Sequence, residues 1–318
     1  MKKLHQSEVI TRNGQDVRFQ PGEDECPVCG SGGGGPTVYK YAEYSIIKCD
    51  ACSTMHLYPI PDDESLNLIY NTNYYKDDDE QHGYKDYRKD EKMIRKTYRR
   101  RFGFIKSNLS DECMASGVLE IGCALGFGLQ EAKGFFNSTV YGADISQEAV
   151  ESCRKAGFEA NQCQADGTFQ VGDERKYGLV YAFDVLEHLR KTEGFTTWID
   201  SILVDDGVFA LTTPNMNGFL NRILGSRTPS IKIPQHITYF TTDTLQYALK
   251  DKFKLVGSKI DCQYVSMRAL LLRVRHILGL SYNSLRYIPE TNIAVPNGMK
   301  IYLFKKNDGN ETKDTQVG

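Results

Sequence analysis

Cys26, Cys29, Cys49 and Cys52 stand in CPVCG and CDAC, two C-x2-C turns with 19 residues between them. Each turn brings two thiolates onto one ion, and two turns complete a tetrahedral S4 shell, the spacing of a structural Zn2+ site. With thiolate at every position no coordination place is left open, so the metal would hold the front of the chain together without doing chemistry. The intervening GSGGGGPTVYKYAEYSIIK reads as a glycine-rich loop and a hairpin. A small zinc-ribbon-like module over residues 1–57 follows, with a core separate from the rest. Cys113, Cys123, Cys153, Cys163 and Cys262 are scattered singly and read as core thiols.

A second constellation begins at VLEIGCALGFGLQEA, residues 118–132, where an apolar strand meets Glu120 and then Gly122, Ala124, Gly126 and Gly128. A dinucleotide fingerprint would need glycine where Gly122, Ala124 and Phe127 stand, and a helix could not pack tightly over Phe127. The G-x-x-x-x-G-K-[ST] loop of phosphate-cradling NTPases is absent. Asp144 in YGADIS lies 22 residues beyond Gly122, where a carboxylate can take both hydroxyls of a ribose. Asp166 closes a similar segment in QADGT, and YGLVYAFDVLEHL carries Phe183, Asp184, Glu187 and His188. His236, in PQHITYFTTDTL, could remove a proton from a hydroxyl as a neutral imidazole, or simply hydrogen-bond its loop. Glu187 and His188 compete for that proton-handling role, with packing and helix capping as their alternative.

The elements that must position these residues alternate. Strand patterns at GVLEIGC, STVYGADI, FEANQCQAD, YGLVYAFDV and DGVFALTTP are separated by helix patterns at GLQEAKGFFN, SQEAVESCRKAG and TEGFTTWIDSIL. Such alternation predicts an α/β, doubly wound, mostly parallel sheet with its ligand at the switch point beyond the strand ends. FKLVGSKID and GMKIYLFKK supply two late strands. Residues 58–111 read as a tyrosine-rich linker ending in a long helix. Its run of Arg95, Lys96, Arg99, Arg100 and Arg101 reads as a solvated face, or more sharply as a clamp for an anionic substrate. The main domain covers 112–306, with insertions at 215–240 and 264–296 expected to roof the strand ends. Arg268, Arg273 and Arg275 mark the second insertion as a basic lid, and 307–318 reads as a disordered tail.

Taken in order, E-x-G-x-x-x-G-x-G, YGADIS, QADGT and YGLVYAFDVLEHL resemble the motifs of class I S-adenosylmethionine-dependent methyltransferases. Their usual first motif is (D/E)-x-G-x-G-x-G, so Ala124 replaces the middle glycine. The resemblance covers 118 to about 214 and implies a Rossmann-like fold with a seven-stranded sheet and S-adenosylmethionine as cofactor. It further implies a cofactor site of Glu120, Gly122, Ala124, Gly126, Asp144, Ile145, Asp166, Gly167, Phe183 and Asp184. In it Asp144 would hold the ribose and Asp166 the adenine amino group. His236, Glu187 and His188 would be the catalytic set. PQHITYFTTDTL is similar to a segment of small-molecule methyltransferases that also carry an N-terminal four-cysteine module. A small-molecule acceptor is implied, such as an anionic nucleotide-linked sugar or a precursor of surface polysaccharide or secondary metabolites.

Bulk properties narrow the partners. The formal net charge is −2, and Lys40 and Lys48 are the only bases between Cys26 and Cys52, which argues against nucleic acid. No apolar run reaches the roughly 18 residues of a membrane span. MKKLHQSEVITRNGQ lacks the apolar core of a secretory signal, and with nine cysteines read as thiols or metal ligands a cytoplasmic address is expected. Two other functions stay open: an RNA base methyltransferase that holds RNA with its ribbon, and a non-catalytic nucleotide-binding scaffold.

Overall fold

The computed structural model describes residues 10–12, 15–17, 25–32, 34–62, 65–66, 87–163, 175–267, 270–271 and 291–307. A short hairpin, β1 (Ile10–Arg12) and β2 (Gln15–Val17), comes first. β3 (Thr37–Lys40), β4 (Ser45–Lys48) and β5 (Met55–Tyr58) then form an antiparallel meander around the cysteines. The main sheet is built from β6 (Val118–Ile121), β7 (Val140–Asp144), β8 (Glu159–Gln162), β9 (Tyr177–Phe183), β10 (Leu203–Pro214), β12 (Phe253–Ser266) and β13 (Asn292–Lys306). Its order is β12-β13-β10-β9-β6-β7-β8, and β13 alone runs against its neighbours. This is the Rossmann-like methyltransferase sheet expected. Chain order reverses at β6, between β7 and β9, which makes a switch-point cleft at their carboxyl ends.

Every residue of β6 and β9 is buried, because helices cover both faces. Alternation divides β9 between them: Leu179, Tyr181 and Phe183 enter one core, Val180 and Ala182 the other. The first core is closed by α1 (Glu91–Lys106), α3 (Phe127–Phe136) and α4 (Gln147–Lys155), the second by α5 (Thr192–Ile202) and α7 (Thr242–Leu249). Two further short helices are α2 (Asp111–Ala115) and α6 (Phe219–Leu224). Ser110 caps α2 and Ser146 caps α4, each accepting a backbone N–H three residues on, and Thr241 caps α7 in a capping box.

The long helix of the expected linker is instead an integral wall of the main domain. On α1, Ile94, Tyr98, Phe102 and Ile105 recur at helical spacing and are buried. Each such side chain contributes about 1.5–3 kcal/mol of burial free energy. The basic run on this helix is divided: Arg99 and Arg100 keep the solvent-exposed face expected of it, whereas Arg101 is buried. Arg95 and Arg99 both hold Glu131 of α3. Arg101 faces inward, donating to both carboxylate oxygens of Asp261 on β12, with its closest N–O distance 2.6 Å. The helix is turned so that its apolar stripe includes position 101, which forces that guanidinium inside; only an equally buried carboxylate makes this tolerable.

The front module does not have its own separate core, as its cysteine pattern led us to expect. β11 (Thr238–Tyr239), from the 215–240 insertion, pairs with β5 and completes a four-stranded sheet ordered β11-β5-β4-β3. Tyr44, Ile46 and Leu57 of the module pack with Met216, Ile231 and Tyr239 of the insertion. The module's apolar sheet face is too small to be buried by itself, so the insertion covers it. A second joint lies at Thr192, whose backbone N–H and hydroxyl both donate to the Pro27 carbonyl.

The other insertion is shorter than 264–296. Residues on both of its flanks belong to the β12–β13 ladder, which continues to the pair Ser266–Asn292. Arg268, Arg273, Arg275 and the tail from 308 lie outside the described residues. Among the described residues no helix is long and apolar enough to cross a membrane.

Candidate active site and four-cysteine centre

β6 delivers Glu120 into the first core, where the Tyr98 hydroxyl donates to its Oε1 at 2.7 Å. The carboxyl lies against the first turn of α3, and a Cβ on Gly128 would overlap it, which accounts for the last glycine of the motif. Burial raises the Glu120 carboxyl to about 8, against the opposing help of the Tyr98 and Tyr181 hydroxyls. It is therefore largely protonated near neutral pH, and it packs beneath the turn.

The turn itself is held by Asp144, at the end of β7. Its Oδ2 accepts the Ala124 N–H and its Oδ1 the Ser146 N–H, both at 2.8 Å. Ala124 adopts φ +46°, a left-handed conformation in which glycine is usual, so this hydrogen bond offsets the strain of the replacement. Ile145 follows, half-buried. Asp166 and Gly167 lie outside the described residues.

At the end of β9, Phe183 points into the core beneath the Arg101 guanidinium, 4.6 Å from its ring centre. Asp184 has φ +59° and accepts the Thr212 hydroxyl of β10 at 2.6 Å. A 3-10 turn, Leu186–His188, then carries Glu187 and His188. His236 arrives from the insertion, and the three side chains that the sequence offered as competitors prove to be one cluster. One ligand atom from each lies within 4.8 Å of the others. The His188 and His236 rings meet edge to face at 4.7 Å. Burial lowers both imidazoles, His188 to about 4 and His236 well below the usual range, so both are neutral. Burial also raises Glu187 to about 8, with nearby Asp184 adding to the effect.

Backbone contacts tie this cluster to the front module. The Leu57 N–H of β5 donates to the Ile237 carbonyl, and the Ile237 N–H donates to the Glu187 carbonyl, both at 2.8 Å. The four cysteines lie just upstream. Cys26 and Cys52 are 3.6 Å apart between sulfurs, Cys29 and Cys49 3.7 Å. A tetrahedral site with Zn–S bonds of about 2.3 Å needs about 3.8 Å between sulfurs, whereas a disulfide needs about 2.05 Å. The donor set fits zinc.

A methyltransferase domain family matches residues 88–252, about half of the chain. The chain belongs to that family. It is a class I S-adenosylmethionine-dependent methyltransferase. The matched span begins just before α1 and ends after α7, so it includes the motif turn, the 3-10 turn and His236 but not the cysteines. Solved structures similar to this methyltransferase share little sequence with it. An S-adenosylmethionine-dependent methyltransferase of Thermotoga maritima is 16% identical, with 70% of this chain and 95% of that chain covered and a TM-score of 0.46. Another, of Clostridium acetobutylicum, is 13% identical over 70% and 93% of the two chains, with a TM-score of 0.41. A third, of Mesorhizobium loti, is 13% identical over 64% and 96%, with a TM-score of 0.42. No curated protein matches the chain significantly.

Sequence reasoning missed Tyr98 as the partner of Glu120 and Thr212 as that of Asp184. It also missed the strand exchange through β11. Two residues, Thr238 and Tyr239, carry no strand periodicity that a reader could recover.

Proposed function

We propose that this methyltransferase transfers the methyl group of S-adenosylmethionine to a small-molecule acceptor. The supporting observation for the donor end is the turn at residues 120–128 clamped by Asp144 at the switch point. Gly122, Ala124 and Gly126 would lie along the cofactor, with the Asp144 carboxylate on the ribose and Ile145 beside it. Asp166 and Gly167 would serve the adenine. Glu120 and Phe183 act from below as braces, and Asp184 stands at the border with the acceptor. S-adenosylmethionine supplies an electrophilic methyl, and the protein's task is to align the acceptor atom with it and exclude water.

The acceptor end lies toward Glu187, His188 and His236, under residues 215–240. Deprotonation by His236 alone is disfavoured, since burial makes it a weak proton acceptor near neutral pH. A nucleotide-linked sugar remains our choice over RNA, because the net charge is −2 and Arg95 and Arg101 of α1 are taken up in ion pairs within the fold. Zn2+ held by Cys26, Cys29, Cys49 and Cys52 would be structural, fixing β4 and β5 and through them β11. The test is a turnover screen that follows S-adenosylhomocysteine release with nucleotide sugars, small phenols and RNA. Release with a sugar or phenol supports the reading; release with RNA alone would replace it.

A further inference from the structure

The Glu187–His188–His236 cluster has the construction of a ligand set. His188 Nδ1 lies 2.9 Å from the Gln235 carbonyl oxygen, and His236 Nδ1 lies 2.9 Å from the Ser230 carbonyl oxygen. A carbonyl only accepts, so each Nδ1 carries the hydrogen and each Nε2 the lone pair. Backbone carbonyls on the far nitrogen are what orient imidazoles that bind metal. Glu187 is fully buried, and the one donor that faces its carboxyl, the Thr213 hydroxyl, makes no hydrogen bond of good geometry to either oxygen. A buried carboxyl without a partner is costly unless a proton or a cation answers it. Metal bonds of about 2.0–2.2 Å at tetrahedral or octahedral angles place ligand atoms about 3.0–3.5 Å apart, so a 4.8 Å spread closes with side-chain shifts of about an ångström.

We propose that Glu187, His188 and His236 form a second metal centre that takes one divalent transition-metal cation. Two imidazoles and one carboxylate suit Mn2+, Fe2+, Co2+ or Zn2+ better than Mg2+ or Ca2+, which prefer oxygen alone. Unlike the four-cysteine site, three protein ligands leave coordination positions open. This deepens the acceptor reading and rests on it: the acceptor is a hydroxyl-bearing molecule whose oxygen completes the coordination shell. The bound hydroxyl loses its proton to solvent, and its oxygen forms a bond to the methyl carbon. The methyl–sulfur bond breaks with its electron pair staying on sulfur, and the sulfonium leaves as neutral S-adenosylhomocysteine. The cation acts as a Lewis acid that lowers the hydroxyl's proton affinity. Asp184 and Lys232 are the charged groups near enough to influence Glu187, and they are of opposite sign.

The test uses the full chain with one equivalent of Zn2+ added first, so that the thiolates are occupied, and then titrated with Mn2+. Free Mn2+ is read by electron paramagnetic resonance. One Mn2+ per wild-type chain is expected, with affinity weakened at least tenfold in Glu187→Gln and in His236→Ala. Absence of Mn2+ uptake by the wild type, or wild-type affinity in both variants, would overturn the centre. S-adenosylmethionine binding on the same samples reports folding and the donor end separately. A wild type that takes Mn2+ but not the methyl donor would support the centre while overturning the donor assignment.

Discussion

The two ends of the cleft are built differently. The proposed donor end is local: the turn at 120–128 and the Asp144 that holds it sit on neighbouring parallel strands β6 and β7, separated by one helix. The acceptor end is composite. Glu187 and His188 come from a turn after β9, His236 from an insertion after β10, and the insertion is held by a strand from the four-cysteine module. A local site needs little beyond the core of the sheet. A composite one depends on an appendage outside the matched family span, and that is where substrate choice can change without disturbing the donor. Both ends nevertheless use one device, a buried carboxyl kept off bulk water, with the Tyr98 hydroxyl on Glu120 and the Thr213 hydroxyl facing Glu187.

The sharpest way to break this comparison is to unpin α1, the wall of the donor side. Arg101→Ala leaves Asp261 buried and unpaired, and should cost about 3–5 kcal/mol of stability. Chemical denaturation measures it. Arg101→Met with Asp261→Leu should recover most of the loss, since two apolar groups carry no unpaired charge. A loss below about 1 kcal/mol in the single variant would show that the pair is solvated in solution.

Affinity comes next. Asp144→Ala removes a charged hydrogen-bond partner and should weaken S-adenosylmethionine by about ten- to a hundredfold, roughly 1.5–3 kcal/mol. The same change frees the Ala124 N–H, so Asp144→Asn, which keeps an acceptor, should fall between the two. Calorimetry showing unchanged binding in the alanine variant would put the ribose elsewhere and leave Asp144 a turn brace only.

A further effect, at most about 1.4 kcal/mol per pH unit, concerns pH. The Glu120 carboxyl is raised to about 8 in the fold, against an ordinary value near 4.5 when unfolded. Between those values the folded chain holds a proton that the unfolded chain has released. Its contribution is therefore full below about 4.5 and is lost as pH rises through about 8, by at most about 1.4 kcal/mol per pH unit. Glu120→Gln removes this titration, so the variant's melting temperature should gain on the wild type between pH 5 and 8. Parallel curves would show that Glu120 is ionised in the fold.

How much of this could be read beforehand follows from how local each feature is. The β6 turn, the strand-end acids and the alternation of β6 to β10 were legible because glycine, acid and strand signals lie within a few residues of one another. The four cysteines were legible for the same reason. The fate of Arg101 was not, because its partner Asp261 is 160 residues away and a helical basic run looks the same solvated or buried. Nor could Glu187, His188 and His236 be seen as one group: the last joins the others only through the fold of residues 230–237, with Ser230 and Gln235 carbonyls setting the rings. The separate core expected for the front module failed on the same ground, since a two-residue strand completes its sheet.

The central claim is that the front module shapes the acceptor end while the donor end stands without it. Hydrogen exchange of the full chain before and after removal of zinc by a chelator tests it directly. The account predicts that one Zn2+ leaves per four-cysteine site and that amide protection collapses at Leu57 and Ile237, where the backbone links run to Glu187. Protection in β6 and β7 should persist, as should S-adenosylmethionine affinity. Equal loss of protection in both regions, or none at Leu57 and Ile237, would contradict it.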